Sequence, residues 1–185
     1  MAIIREAPRP NPLLKAGIAI AERVTGQRML PARLLAWSPR TAIGAGVLEA
    51  TAAPAGHGLD ARTLKLLRLT ASLAVNCIFC IDMNATGHRK LGISDAEVEA
   101  IRDGTEDAQP SFSQRDRLLI AYTRGISATP IALPDELLAE VTASFTERQL
   151  VVVAATVAQV NYWARLIQAL GVAPAGFGDH CLVVE

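Results

Sequence analysis

The chain has 185 residues, 51% hydrophobic and only 4% aromatic, with 18 basic and 18 acidic side chains. That length suits one domain with a sizeable core, and the abundance of alanine, leucine and valine favours packed helices over a β-sandwich. The balanced charge gives no electrostatic basis for binding nucleic acid or an anionic membrane.

Residues 1–12 hold Arg5, Arg9 and the prolines Pro8, Pro10 and Pro12, so they predict an extended arm and show no signal-peptide pattern. Residues 13–26 read as a helix stopped by Gly26, followed by a short apolar segment at 30–37. Pro39 suits the first turn of a helix over about 39–54 that Pro54 ends. Within it, Gly44 and Gly46 either weaken the helix or permit close approach of a neighbour. Asp60 is a candidate cap for a helix running to about Asn76, with an apolar stripe of Leu64, Leu67, Thr70, Ala71 and Ala74. Cys77 to Leu91 reads as the next helix, stopped by Gly92.

Ser94-Asp95-Ala96-Glu97 is a capping box that opens a short helix to Arg102. Residues 104–112 are polar and form a loop. Ser113 caps a helix to about Ser127, and Arg115-Asp116-Arg117 reads as its solvated face. Pro130 and Pro134 frame a turn, with Pro134 at the first position of a helix to about Phe145. Thr146 caps a last long helix to Leu170, stopped by Gly171 and Pro174. Its most apolar stretch, Leu150 to Val160, is too short to span a bilayer and is followed by Asn161 and Arg165. No segment alternates with period two. The prediction is an all-α, single-domain bundle over 13–171, with an irregular tail at 172–185.

The three cysteines, Cys77, Cys80 and Cys181, do not resemble a secreted disulfide framework, and the chain is expected in the cytoplasm. Cys77 and Cys80 stand three apart at a predicted helix start, so they share one face about one turn apart. There the helix dipole and free amides favour thiolate and lower the thiol pKa. One sulfur can attack an oxidised substrate while the other resolves the product into an intramolecular bridge, without metal or nucleotide. Two other readings stay open. The pair can be buried structural thiols, or part of a zinc site, for which only Cys181, His180 and His88 remain as further ligands. His57 lies in a glycine loop and reads as a solvated histidine; Cys181 reads as a free tail thiol.

The phrase Cys77-Ile-Phe-Cys-Ile-Asp-Met-Asn84, the amphipathic helix before it and the Ser-Asp-Ala-Glu helix start after it resemble the AhpD-like, or carboxymuconolactone decarboxylase, family. Phe145-Thr-Glu-Arg-Gln-Leu and Asn161-Tyr-Trp-Ala-Arg165 are similar to the C-terminal helices of its longer members, so the resemblance spans roughly residues 30–176. It implies an AhpD-like helical bundle, a homo-oligomer, and a peroxidase of peroxiredoxin type acting on a hydroperoxide or disulfide with a thiol reductant. It also leans towards Cys80 as the attacking sulfur.

Two positions depart from the family pattern. Asn84 stands where the peroxidase members carry a histidine, and Lys65 where they carry a glutamate. Asn84 hydrogen-bonds but cannot shuttle a proton at neutral pH. Lys65 would stabilise a thiolate if it pointed at one. Asp82 and His88 are the nearest candidate substitutes, although His88 is two helical turns beyond Cys80 and Asp82 lies off its helix face. Cys77, Cys80, Asn84 and Lys65 are therefore the candidate catalytic residues, with no cofactor and no metal expected. The alternatives are a lactone decarboxylase, disfavoured by the cysteine pair, and a non-enzymatic oligomeric protein that has lost the relay.

Overall fold

The computed structural model describes residues 2–52, 55–56 and 58–177. Pro54, His57, His180 and Cys181 therefore lie outside the described residues. Among those described, no β-strand forms, and nine α-helices follow in order: α1 Pro12–Thr25, α2 Leu30–Leu35, α3 Pro39–Ala50, α4 Ala61–Ala74, α5 Ile78–Ala85, α6 Asp95–Asp103, α7 Gln114–Ser127, α8 Asp135–Ser144 and α9 Glu147–Ala169. The all-α expectation is met.

Local chemistry sets most of the boundaries. The Asn11 side chain accepts the Leu14 amide at 2.8 Å, Pro12 opens α1, and Gly26 at φ 67° closes it. Asp60 accepts the Thr63 amide at 2.7 Å at the head of α4. Three reciprocal capping boxes, Ser94 with Glu97, Ser113 with Asp116 and Thr146 with Gln149, start α6, α7 and α9.

The structure corrects several predicted segments. The helix foreseen over 77–91 breaks at Thr86-Gly87. Gly87 takes φ 72°, and His88–Leu91 forms a separate 3₁₀ turn. α3 ends at Ala50. Pro134 precedes α8, which starts at Asp135. Nothing lies within 4 Å of a Cβ placed at Gly44 or Gly46, so no neighbour within the chain demands glycine there.

α4 is the hub. It packs against α9, α7, α5 and α6, and α9 also packs against α5 and α7. Instead of one apolar stripe, α4 buries two. Leu64, Leu67 and Ala71 join Val141, Val153 and Val157 in one cluster; Leu66 and Leu69 join Val98, Ile101 and Ile120 in another. Ala74, placed in the predicted stripe, is exposed. A helix apolar on both sides belongs inside a bundle.

One cation ties three helix starts together. Arg62 reaches Glu97 on α6 at 2.6 Å and Asp116 on α7 at 3.1 Å. The Arg115-Asp116-Arg117 run is thus no merely solvated face. Arg115 lies 4.1 Å over the Phe145 ring, and Arg117 donates to the carbonyls of Glu106 and Gln109. α9, at 23 residues, is long and apolar enough to span a membrane on length and composition alone, but here it supplies residues to two interior clusters.

Candidate active site

α4 ends where Val75 leaves helical geometry, and Asn76 adopts a left-handed conformation at φ 47°. Asparagine tolerates this region better than other side chains with a Cβ. The reversal delivers Cys77 as the N-cap of α5. Its sulfur accepts the Cys80 amide at 3.3 Å. A disulfide joins Cys77 to Cys80, with Cα atoms 5.2 Å apart. The positive end of the α5 dipole therefore faces the sulfur pair.

Both cysteines are sealed, each residue being 1% exposed. They sit in a third apolar cluster with Leu34, Phe79, Ala164, Ile167 and Val172, flanked by Met83, Trp163 and Phe177. Two surface depressions of about 500 Å³ each contain no cysteine. Chemistry at the sulfurs therefore needs some covering element to move.

Asn84 sits one turn after Cys80 on α5. It is buried, and its side-chain amide donates to the Ser72 hydroxyl at 2.9 Å; Ser72 in turn donates to the Arg68 carbonyl at 2.7 Å. The pair forms a neutral polar link between α5 and α4. Sequence reasoning missed Ser72. Its signal was a polar residue in the most apolar part of α4.

Lys65 points elsewhere than the thiols. Its ammonium donates to the Thr86 carbonyl at 2.6 Å, at the C-terminal end of α5. The six residues from Cys80 to Thr86 are roughly 9 Å of helix axis. Burial, then the nearby Arg68 charge, pushes the Lys65 pKa down to about 8. Its position suits the negative end of the α5 dipole.

The other candidates are engaged as well. Among the described residues, no cluster of three or more His, Cys, Asp or Glu is arranged to hold a metal. The His88 ring lies 2.6 Å from the Ala85 carbonyl and 2.8 Å from Asp95. One carboxylate oxygen of Asp82 accepts the amides of Ala175, Gly176 and Phe177 at 3.1, 2.8 and 3.1 Å. On α9, Asn161 donates to Ser127, the Trp163 indole donates to Glu49, and Arg165 donates to the Thr129 hydroxyl rather than pairing with a carboxylate. Asn161 and Arg165 line one of the surface depressions, which none of the four candidate catalytic residues touches.

Comparison with known proteins bears on the family and the fold. Residues 43–110, which contain Lys65, Cys77, Cys80 and Asn84, match the carboxymuconolactone decarboxylase family model. The uncharacterised protein YdfG of Bacillus subtilis (strain 168) is 26% identical over 114 residues, 61% of this chain and 76% of YdfG. ATU0492 of Agrobacterium tumefaciens, a protein of unknown function and candidate AhpD antioxidant-defence protein, superposes with TM-score 0.67 at 21% identity, over 80% of this chain and 97% of its own. A variant of the debrominase Bmp8 in complex with 2,3,4-tribromopyrrole superposes with TM-score 0.78 at 15% identity, over 96% of this chain and 95% of its own. The resemblance read from the CxxC segment is borne out: the chain carries a carboxymuconolactone decarboxylase family segment in an AhpD-like fold.

Proposed function

We propose that this chain, an AhpD-like fold around a carboxymuconolactone decarboxylase family segment, is a thiol-dependent oxidoreductase that cycles Cys77 and Cys80 between dithiol and disulfide. The observation that carries the reading is the Cys77–Cys80 bond at the head of α5, where one sulfur already accepts a backbone amide. That amide and the helix dipole stabilise negative charge on Cys77 once the bridge is reduced. We therefore assign the thiolate to Cys77, against the lean of the family resemblance towards Cys80.

With a hydroperoxide, the Cys77 thiolate attacks the terminal peroxide oxygen and the alkoxide leaves to take up a proton. The Cys80 thiol then displaces water from the sulfenic acid, forming the disulfide. An external dithiol returns two electrons by exchange through a mixed disulfide. A reducing compartment such as the cytoplasm would supply that thiol. The neutral Asn84–Ser72 link supplies no ionising group, so the protons come from the substrate side or solvent. Exposed Leu13, Ile20 and Val24 on α1, with Ile43 and Val47 on α3, support assembly into a homo-oligomer.

The test is peroxide-dependent oxidation of a dithiol in the wild type and in single Cys→Ser variants, with trapping of the sulfenic acid. We expect Cys80→Ser to accumulate the adduct on Cys77 and both variants to lose turnover. Turnover that survives both substitutions would refute the cycle.

A second reading is reductive dehalogenation of a small aromatic ring, in which the dithiol is oxidised while carbon–halogen becomes carbon–hydrogen and halide leaves. It is favoured by the aromatic and aliphatic surroundings of the sulfurs and by the likeness to the debrominase. Halide release from a bromopyrrole, dependent on both cysteines, separates it from the peroxidase reading.

A further inference from the structure

Residues 172–177, part of the tail predicted to be irregular, are fastened against the cluster that holds the buried sulfurs. Val172 is 8% exposed and belongs to the same cluster as Cys77 and Cys80. The Phe177 ring meets the Phe79 ring edge-on, centroids 5.7 Å apart. Gly176 takes φ 74°, which turns three successive amides towards one oxygen of Asp82. A carboxylate gripping three N–H groups is a strong local clamp. Gln27 adds a hydrogen bond to the Gly176 carbonyl at 3.0 Å. The segment forms no helix. The Val172 amide donates to the Ile167 carbonyl at 3.1 Å and closes the end of α9, so residues 173–177 can lift about that point without unfolding α5 or α9.

We propose that residues 173–177 are a self-inhibitory strap, latched by Asp82, whose Phe177 ring fills the place of an apolar, aromatic-sized substrate beside the disulfide. The proposal rests on the redox reading of the pair for its purpose, but its geometry is tested separately. With the strap lifted, the wall next to the sulfurs is Leu34, Phe79, Met83 and Trp163, which suits an uncharged ring. Substrate entry and strap release would then be one competitive event. A ligand pays the cost of opening through its own contacts.

The experiment uses the full chain, reduced, with Cys181→Ser so that only the pair reports. Alkylation rates are measured with N-ethylmaleimide and N-phenylmaleimide for the parent, Asp82→Ala and Phe177→Ala, with circular dichroism melts as a folding control. Loss of the clamp is expected to raise both rates in Asp82→Ala by roughly tenfold or more. Phe177→Ala is expected to accelerate the phenyl reagent more than the ethyl reagent, because the ring enters the vacated space. Parent-like rates in a folded Asp82→Ala would overturn the latch. An equal gain for both reagents in Phe177→Ala would overturn the aromatic subsite. Formation of the disulfide under mild oxidant is scored in parallel, so failure of the redox cycle is read independently of the strap.

Discussion

The Asn84 side-chain amide donates a 2.9 Å hydrogen bond to the hydroxyl of Ser72, joining α5 to α4 one turn along α5 from Cys80. A non-ionising pair thus occupies the place from which a histidine one turn after the second cysteine would serve the thiols. Asn84→His introduces a group that titrates near neutrality. Peroxide-dependent turnover in this variant is expected to acquire a pH dependence between about 6 and 7 that the parent lacks. Ser72→Ala is expected to cost about 1–2 kcal/mol in urea unfolding by leaving the Asn84 amide without its acceptor. Identical pH–rate profiles for parent and Asn84→His would show that this position does not communicate with the sulfurs.

Lys65 provides a pH prediction of definite sign. Its folded-state pKa lies at about 8, below the ordinary 10.5, because burial and then Arg68 disfavour the ammonium. Between those two values the unfolded chain binds more protons than the folded one. The Lys65 contribution to stability therefore rises as pH climbs from about 8 to 10.5, and below that window the full penalty applies. Lys65→Met is expected to raise Tm at pH 7 by about 2–4 °C, after discounting for the exposed part of the side chain. It should also flatten the stability gain towards pH 10. A variant less stable than the parent at pH 7 would mean that the Thr86 hydrogen bond outweighs the burial of charge.

Asn76 holds the turn that presents Cys77, at φ 47°. Asn76→Gly is expected to leave stability within about 0.5 kcal/mol, whereas Asn76→Val is expected to cost about 1–2 kcal/mol, since a β-branched side chain is strained in the left-handed region. Urea melts monitored by circular dichroism separate the two. Equal losses would place the constraint in the asparagine side chain rather than in the backbone.

Gly125 in α7 lies under the 128–133 loop. A Cβ there would stand 2.5 Å from both the Ala132 carbonyl oxygen and a Leu133 methyl. Gly125→Ala is expected to destabilise by about 1–3 kcal/mol through overpacking. Gly17→Ala in α1, with nothing within 4 Å of the new methyl, is expected to stabilise by about 0.5–1 kcal/mol. Thermal melts of the two variants should therefore move in opposite directions.

Much of the bundle was readable before any coordinates. Asp60, Ser94, Ser113 and Thr146 announce helix starts because a cap bonds an amide two or three residues away, and Gly26 and Gly92 announce ends for the same local reason, whereas the Asn11 cap was missed, its residue lying in the predicted extended arm. The break at Thr86-Gly87 was missed because an apolar run through Ile81 and Met83 outweighed a single glycine. The second buried side of α4 was missed because a one-stripe pattern assumes one neighbour, and α4 has several.

The sequence by itself determined the all-helical class, the capped helix starts and the placing of two cysteines one turn apart. Each of these depends on residues within about four positions of one another. Only the tertiary structure decided that Lys65 serves the far end of α5, that Asn84 pairs with Ser72, and that Asp82 clasps amides 93 to 95 residues away. Those partners meet through the packing of α4, α5 and α9 and the return of the C-terminal segment, and no local pattern encodes which distant groups such packing brings together.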